Sequence, residues 1–178
     1  MSTLWQPVLS NEKVVLQPLL ESDFDQLFEV ANDPLLWEQH PNPDRWKYDV
    51  FRTFFNGALL SGGAFKILDN KSDELIGCTR FYDFNESEKI VFIGYTFISR
   101  KFWGQGYNIS AKQLMLDYAF KFADAVYFHI GANNERSKSS IIKLGVHMTR
   151  SMEVSYFGES PKINNEYVIH RETWNELL

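Results

Sequence analysis

Apolar and polar residues change period several times along this chain, and each change marks an element. Lys13–Leu19 alternates and reads as a first strand. Ser22-Asp23-Phe24-Asp25 has the form of a helix start, an N-cap serine followed by early acids. Phe24, Leu27, Phe28 and Val30 continue it until Pro34 stops the helix. His40-Pro41-Asn42-Pro43 predicts a loop. A second helix is expected from about Tyr48 to Leu60, ended by Gly62-Gly63. Three strands follow, Ala64–Leu68, Glu74–Phe84 and Lys89–Ile98. The turn-rich segments Asp69–Asp73 and Asn85–Glu88 join them as an antiparallel meander.

The period then becomes helical over about Gln105–Phe122, with Ala111, Leu114, Met115, Tyr118 and Phe122 on the buried face. Ala125–Ile130 alternates again and predicts a strand parallel to the one before the helix, closing a right-handed βαβ unit. A helix from about Arg136 to Leu144 ends at Gly145. Two last strands, about His147–Phe157 and Lys162–His170, flank a turn at Gly158-Glu159-Ser160-Pro161. This order predicts an α/β (α+β) domain in three layers, a mixed central sheet of about seven strands flanked by helices.

Composition bounds what such a domain does. The 178 residues suit one domain over the whole chain, with no low-complexity tract, internal repeat or Pro/Gly linker to divide it. A net charge of −5 argues against non-specific nucleic-acid binding and suits an amine substrate. Fifteen Phe, eight Tyr and five Trp leave enough aromatics to line an organic pocket beyond the core. Cys78 is the single cysteine, so no intramolecular disulfide forms. The start Met1-Ser2-Thr3-Leu4-Trp5-Gln6-Pro7 lacks the basic and apolar regions of a secretory signal, and no apolar stretch reaches membrane-spanning length. A cytoplasmic protein without membrane partner is the expectation.

The densest chemistry lies between Phe92 and Phe122. An apolar strand runs through Trp103-Gly104-Gln105-Gly106-Tyr107-Asn108 directly into the long helix. Two glycines at a helix mouth let a ligand approach the backbone, and the unpaired N–H groups there favour phosphate. The pair lacks the third glycine and the early position of a dinucleotide fingerprint, which disfavours NAD. His40, His129, His147 and His170 have no zinc spacing and no cysteine pair to join them, so no metal is expected. No Gly-x-Ser-x-Gly elbow supports a serine hydrolase.

Phe102-Trp103-Gly104-Gln105-Gly106-Tyr107 resembles the pyrophosphate loop of the GNAT N-acetyltransferases. Asn134-Glu135-Arg136-Ser137 followed by Lys143-Leu144-Gly145 resembles the Asn-x-x-Ser block of the branch that holds the ribosomal-protein N-terminal acetyltransferases. Leu75-Ile76-Gly77, Ile93-Gly94-Tyr95 and Tyr167-Val168-Ile169 agree with the same wording over nearly the full length. Trp103 stands where the family has Gln or Arg, and Asn108 where it has a small residue.

The resemblance implies acetyl transfer from acetyl-CoA to a primary amine by direct attack, the acceptor being a protein N-terminus or a small amine. It places the cofactor on Phe97, Ile98, Trp103, Gly104, Gln105, Gly106, Tyr107, Asn108, Asn134 and Ser137. Many members carry a tyrosine general acid seven residues after the asparagine; here that position is Ile141, and Ser137 becomes the candidate general acid. Glu86, Glu88, Glu153 and Glu166 are considered as base, and none is assigned. Gly94 is expected either at a bulge or beneath an aromatic. Trp37 and Trp46 are expected to pack the acceptor-side loop rather than stack on substrate. Related domains occur as monomers and homodimers. The competing reading is a non-catalytic CoA-binding sensor or scaffold of the same fold.

Overall fold

The computed structural model describes residues 5–177. Met1–Leu4, the start of the run read for a targeting signal, and Leu178 lie outside the described residues. The strands are β1 (Leu9–Ser10), β2 (Val14–Pro18), β3 (Ala64–Asp69), β4 (Leu75–Asn85), β5 (Ile90–Ile98), β6 (Ala125–Gly131), β7 (His147–Val154) and β8 (Lys162–His170). The α-helices are α1 (Phe24–Ala31), α2 (Tyr48–Ser61), α3 (Tyr107–Ala119), α4 (Glu135–Ile142) and α5 (Arg171–Leu177). All eight strands form one mixed sheet in the order β1-β2-β3-β4-β5-β6-β8-β7. The strand beyond the expected seven is β1, a two-residue ladder beside β2.

Helices cover both faces because both faces of the central strands are apolar. Phe51, Phe54, Phe55 and Ala58 of α2 pack with Leu27 and Ala31 of α1 against Cys78 and Phe97. On the other face Ala111, Met115, Leu116 and Ala119 of α3 meet Val14, Phe65, Ile76 and Ile93, joined by Ile141 and Trp174. Among the described residues no helix is long and apolar enough to cross a membrane.

Several boundaries differ from the sequence pattern, each for a physical reason. Asp23, not Ser22, closes the turn before α1: its Oδ2 accepts the Leu20 N–H at 2.8 Å and its Oδ1 pairs with Lys66 Nζ at 2.8 Å. Asp23→Ala removes both partners from a buried position, and is expected to lower the urea unfolding free energy by about 2 kcal/mol. Helix α3 begins at Tyr107, because Gly106 takes a left-handed conformation at φ 82°, and it ends at Ala119. Phe122 therefore lies outside the helix and is exposed, while Ser110, Lys112 and Leu116 are buried where the expected face omitted them. The strand β7 stops at Val154, and α5 follows β8 where no element was expected.

The feature that positions the site is a parting of neighbouring strands. Strand β5 pairs with β6 only at Ile90↔Ala125, Val91↔Val126 and Phe92↔Tyr127. Beyond that, β5 continues along β4 to Ile98, and β6 continues along β8 to Gly131. A register shift in the β4–β5 ladder accompanies Tyr95 at φ 53°, a conformation that bends the strand as a bulge does. The bulge residue is Tyr95. Its neighbour Gly94 lies beneath the Tyr82 ring, which would stand 3.0 Å from an added Cβ.

Candidate functional site

A cleft of about 570 Å³ runs from the end of β5 between the mouths of α3 and α4, beside the place where β5 and β6 separate. Of the ten residues proposed from sequence for the cofactor, nine line it: Phe97, Ile98, Trp103, Gly104, Gly106, Tyr107, Asn108, Asn134 and Ser137. The exception is Gln105, whose side-chain amide donates to the Lys101 carbonyl at 2.8 Å. A smaller recess of about 70 Å³ continues behind the cleft, and Thr96, Asn108, Asn134, Ser137 and Ser140 border both.

The mouth of α3 has the character of an anion site. Gly104 and Gly106 have φ values of 72° and 82°, which L-residues adopt only with strain. That turn delivers the chain so that Ser110 is the first helical N–H to find a carbonyl, Gly106's at 3.0 Å. The N–H groups of Tyr107, Asn108 and Ile109 precede it and carry the positive end of the helix. Lys13, absent from the sequence expectation, adds a cation: its Nζ donates to the Gln105 carbonyl at 2.6 Å and lies over the Tyr107 ring. The Tyr107 hydroxyl is held by Asp69 at 2.9 Å.

Trp103 fills the position where the family has Gln or Arg, and its contacts explain the exchange. Its indole N–H donates to the Ile98 carbonyl at 2.8 Å, fastening the loop to the end of β5. The Arg136 guanidinium stacks on its ring at 4.0 Å and reaches Glu38 at 2.8 Å. The Arg136 N–H also donates to Gln39 Oε1 at 3.1 Å. Arg136, Gln39 and Glu38 thus link α4, the glycine loop and the segment after α1 around the cleft mouth. Asn134 is the N-cap of α4, its Oδ1 accepting the Ser137 N–H at 3.2 Å. A cap engages only that oxygen, so both amide donors of Asn134 remain for a ligand.

The recess is lined by His40, Arg45, Tyr95, Lys112, His129, Ile141 and Tyr156 among others. Arg45 is buried, pairs with Glu159 at 2.8 Å, and lies over the rings of Phe54 and Tyr156 at 4.9 and 5.2 Å. Its contacts fasten the loop before α2 to the core. Trp37, which borders the cleft, is buried and donates to the Ala31 carbonyl at 2.8 Å. Burial, and secondarily the Arg45 charge, hold the His40 imidazole well below its ordinary pKa, so it is neutral at pH 7.

The acids considered as base do not line the recess. Glu86, Glu88 and Glu153 are exposed. Glu166 is buried with Oε1 accepting from Thr149 at 2.9 Å and Arg150 at 3.0 Å, and Oε2 paired with His129 at 3.1 Å. Lys112, by contrast, was missed from sequence because lysine at helical spacing reads as a solvated face. Burial lowers its pKa to about 7.

Residues 13–147 match the acetyltransferase (GNAT) domain family. The chain belongs to that family. Among solved structures, a GCN5-related N-acetyltransferase from Brucella melitensis superposes with a TM-score of 0.80 at 14% identity, over 97% of this chain and 82% of that one. The microcin C7 self-immunity acetyltransferase MccE, in complex with acetyl-CoA and AMP, gives 0.73 at 13% identity, over 90% and 93%. A candidate ribosomal-protein-serine acetyltransferase from Vibrio cholerae gives 0.73 at 14% identity, over 93% and 98%. At such identities the superpositions establish the fold.

Proposed function

We propose that this GNAT domain transfers the acetyl group of acetyl-CoA to a primary amine, and that the β5–β6 gap is where transfer occurs. The observation that carries the reading is the continuity of three features. The anion-ready mouth of α3, the cleft along the unpaired half of β5, and the recess behind it share their bordering residues. That sequence of environments fits a pyrophosphate, a pantetheine arm and a thioester in turn.

Main-chain groups of Gly104, Gly106, Tyr107 and Asn108 would hold the pyrophosphate, with Lys13 adding charge. Phe97, Ile98 and the Asn134 amide would hold the pantetheine amides, as an added strand would be held. An N–H of the parted β5 edge would polarise the thioester carbonyl. Ser137 would donate a hydrogen bond to the departing sulfur. Arg136 would lie against the cofactor through its stack on Trp103. Arg136→Ala is expected to weaken acetyl-CoA binding roughly tenfold in calorimetry, the effect of about 1.4 kcal/mol.

The recess has the Arg45 guanidinium in its lining and no carboxylate. This favours an acceptor whose amine is its only positive charge, such as a peptide N-terminus, over a polyamine, whose second ammonium would meet like charge. The ribosomal-protein-like blocks at Asn134–Ser137 and Lys143–Gly145 support the same choice.

Acceptor-dependent release of free thiol from acetyl-CoA tests the reading. N-terminally free peptides are expected to stimulate release and spermidine is not. Tight CoA binding without release on any amine would replace the enzyme by a CoA-binding module.

A further inference from the structure

The proton that the acceptor amine must lose has no assigned carrier, and Ser137, the candidate general acid, would give the departing sulfur a hydrogen bond but needs another group to resupply any proton it transfers. Ile141 occupies the position where many relatives carry an acidic tyrosine, and it lines the recess with no polar atom to offer. Among the titratable side chains lining the same recess, the one contributed by α3 is Lys112.

Lys112 is 4% exposed, an unusual state for a lysine. Its Nζ donates to Thr96 Oγ1 at 3.1 Å and to Asn108 Oδ1 at 3.0 Å, and among the described residues it forms no ion pair. Both acceptors are neutral. A neutral amine has two N–H groups, which these two oxygens satisfy, and one lone pair, which remains. An ammonium would have a third N–H, for which the described residues supply no acceptor. The arrangement therefore fits the neutral form.

The charged and titratable groups that share the recess point the same way. They are His40 and Arg45 from the loop before α2, Tyr95 from β5, His129 from β6 and Tyr156 after β7. None is a carboxylate. Asn108 also acquires a purpose here: the residue that departs from the family's small one holds the Lys112 amine. Thr96 and Asn108 border both the cleft and the recess, so the amine sits at their junction, where the thioester and acceptor would meet.

We propose that Lys112 is the proton-transfer residue of this site, taking a proton from the attacking nitrogen and delivering it to the departing sulfur. The inference rests on the acetyltransferase reading. In the balanced step the acceptor nitrogen forms its bond to the acetyl carbon, and the excess proton on that nitrogen passes to the Lys112 lone pair. The carbon–sulfur bond breaks, and the Lys112 ammonium protonates the thiolate. Lys112 returns to its neutral form with no net consumption. The final transfer is downhill, because a thiol of pKa about 8.5 holds a proton more firmly than an amine of pKa about 7.

Two measurements on the intact protein test this. The first is competitive labelling with trace acetic anhydride from pH 5 to 10, quantified by mass spectrometry at Lys112. The expected result is reactivity that rises around pH 7 and is suppressed by CoA. A midpoint above pH 10, no labelling, or no protection by CoA would each overturn the placement.

The second is thiol release from acetyl-CoA with the free peptide Ala-Ala-Ala as amine probe. Lys112→Met and Lys112→Arg are expected to lose 100-fold or more in kcat, with KM for acetyl-CoA within about threefold and the acidic limb near pH 7 absent. An active wild type with equally active variants overturns the Lys112 role alone. A wild type that binds CoA and releases no thiol overturns the transferase reading, and the Lys112 role with it. Circular dichroism of each variant checks that it is folded, so that a loss of activity is read only from folded protein.

Discussion

Gly106→Glu is expected to weaken acetyl-CoA binding at least 100-fold in calorimetric titration while the circular-dichroism spectrum is retained. Three effects add. The residue sits at φ 82°, where an L-residue costs about 1–2 kcal/mol, so the turn that aims the α3 amides relaxes. The new carboxylate occupies the helix mouth and repels phosphate at close range. Lys13 Nζ lies 3.8 Å from the position of an added Cβ, so the carboxylate also captures the cation that assists the site. Gly106→Ala carries the strain alone and is expected to lose less. Undiminished affinity in the glutamate variant would move the phosphate site elsewhere on the protein.

Lys112→Met is expected to stabilise the fold at neutral and acidic pH, whatever it does to transfer. The unfolded lysine titrates near pH 10.4 and the folded one near 7. Between these values the unfolded chain binds more protons, so stability rises with pH across that window. Below pH 7 the whole penalty is present, on the order of 4 kcal/mol for a group this buried, and above the unfolded pKa it vanishes. Methionine has similar length, no charge and a taste for irregular cavities. The difference in melting temperature between wild type and Lys112→Met should therefore be largest below pH 7 and shrink towards pH 10. A difference independent of pH would mean that Lys112 is charged in the folded protein. A lysine kept at such a cost is consistent with a role in the chemistry.

How much of this was visible in the residues varies by element. Alternation gave β2 through β6 and β8 nearly to the residue, because strands buried on both faces must be apolar where they are covered. Boundaries set by single polar groups were less visible. The cap at Asp23 depends on Lys66, 43 residues away, and the early end of α3 left Phe122 outside the helix. The short β1 has too few residues to show a period. Helix α5 was missed because Trp174 is the single buried side chain of its seven residues, too few to show a period.

The candidate cleft divides in the same manner. The glycine-marked end was legible, because glycines at a helix mouth are a local signal: φ above zero and a bare backbone are properties of one short segment. Asn134 and Ser137 were named through the resemblance of their block, since alone each reads as a helix-terminus residue, and Asn134 is indeed the cap of α4. Lys13, Arg136 and Arg45 were not, since each acts through a residue distant in the chain. Lys112 was hidden most completely. Nothing in its own neighbourhood distinguishes a buried lysine from an exposed one, and the expected face of α3 passed over it.

The sequence by itself determined the order of elements, the mixed sheet, the glycine-marked turn into α3 and the family these define. Those properties follow from periodicity and from backbone conformations that only certain residues adopt. The tertiary structure alone decided that β5 and β6 pair for three residues and then part, and that a loop clamped by Arg45 closes the far side. It also decided that one lysine of α3 points inward between Thr96 and Asn108. Burial is a property of what packs against a residue, and the recess is lined by residues from His40 to Tyr156, so its chemistry exists only once the strands have separated around it.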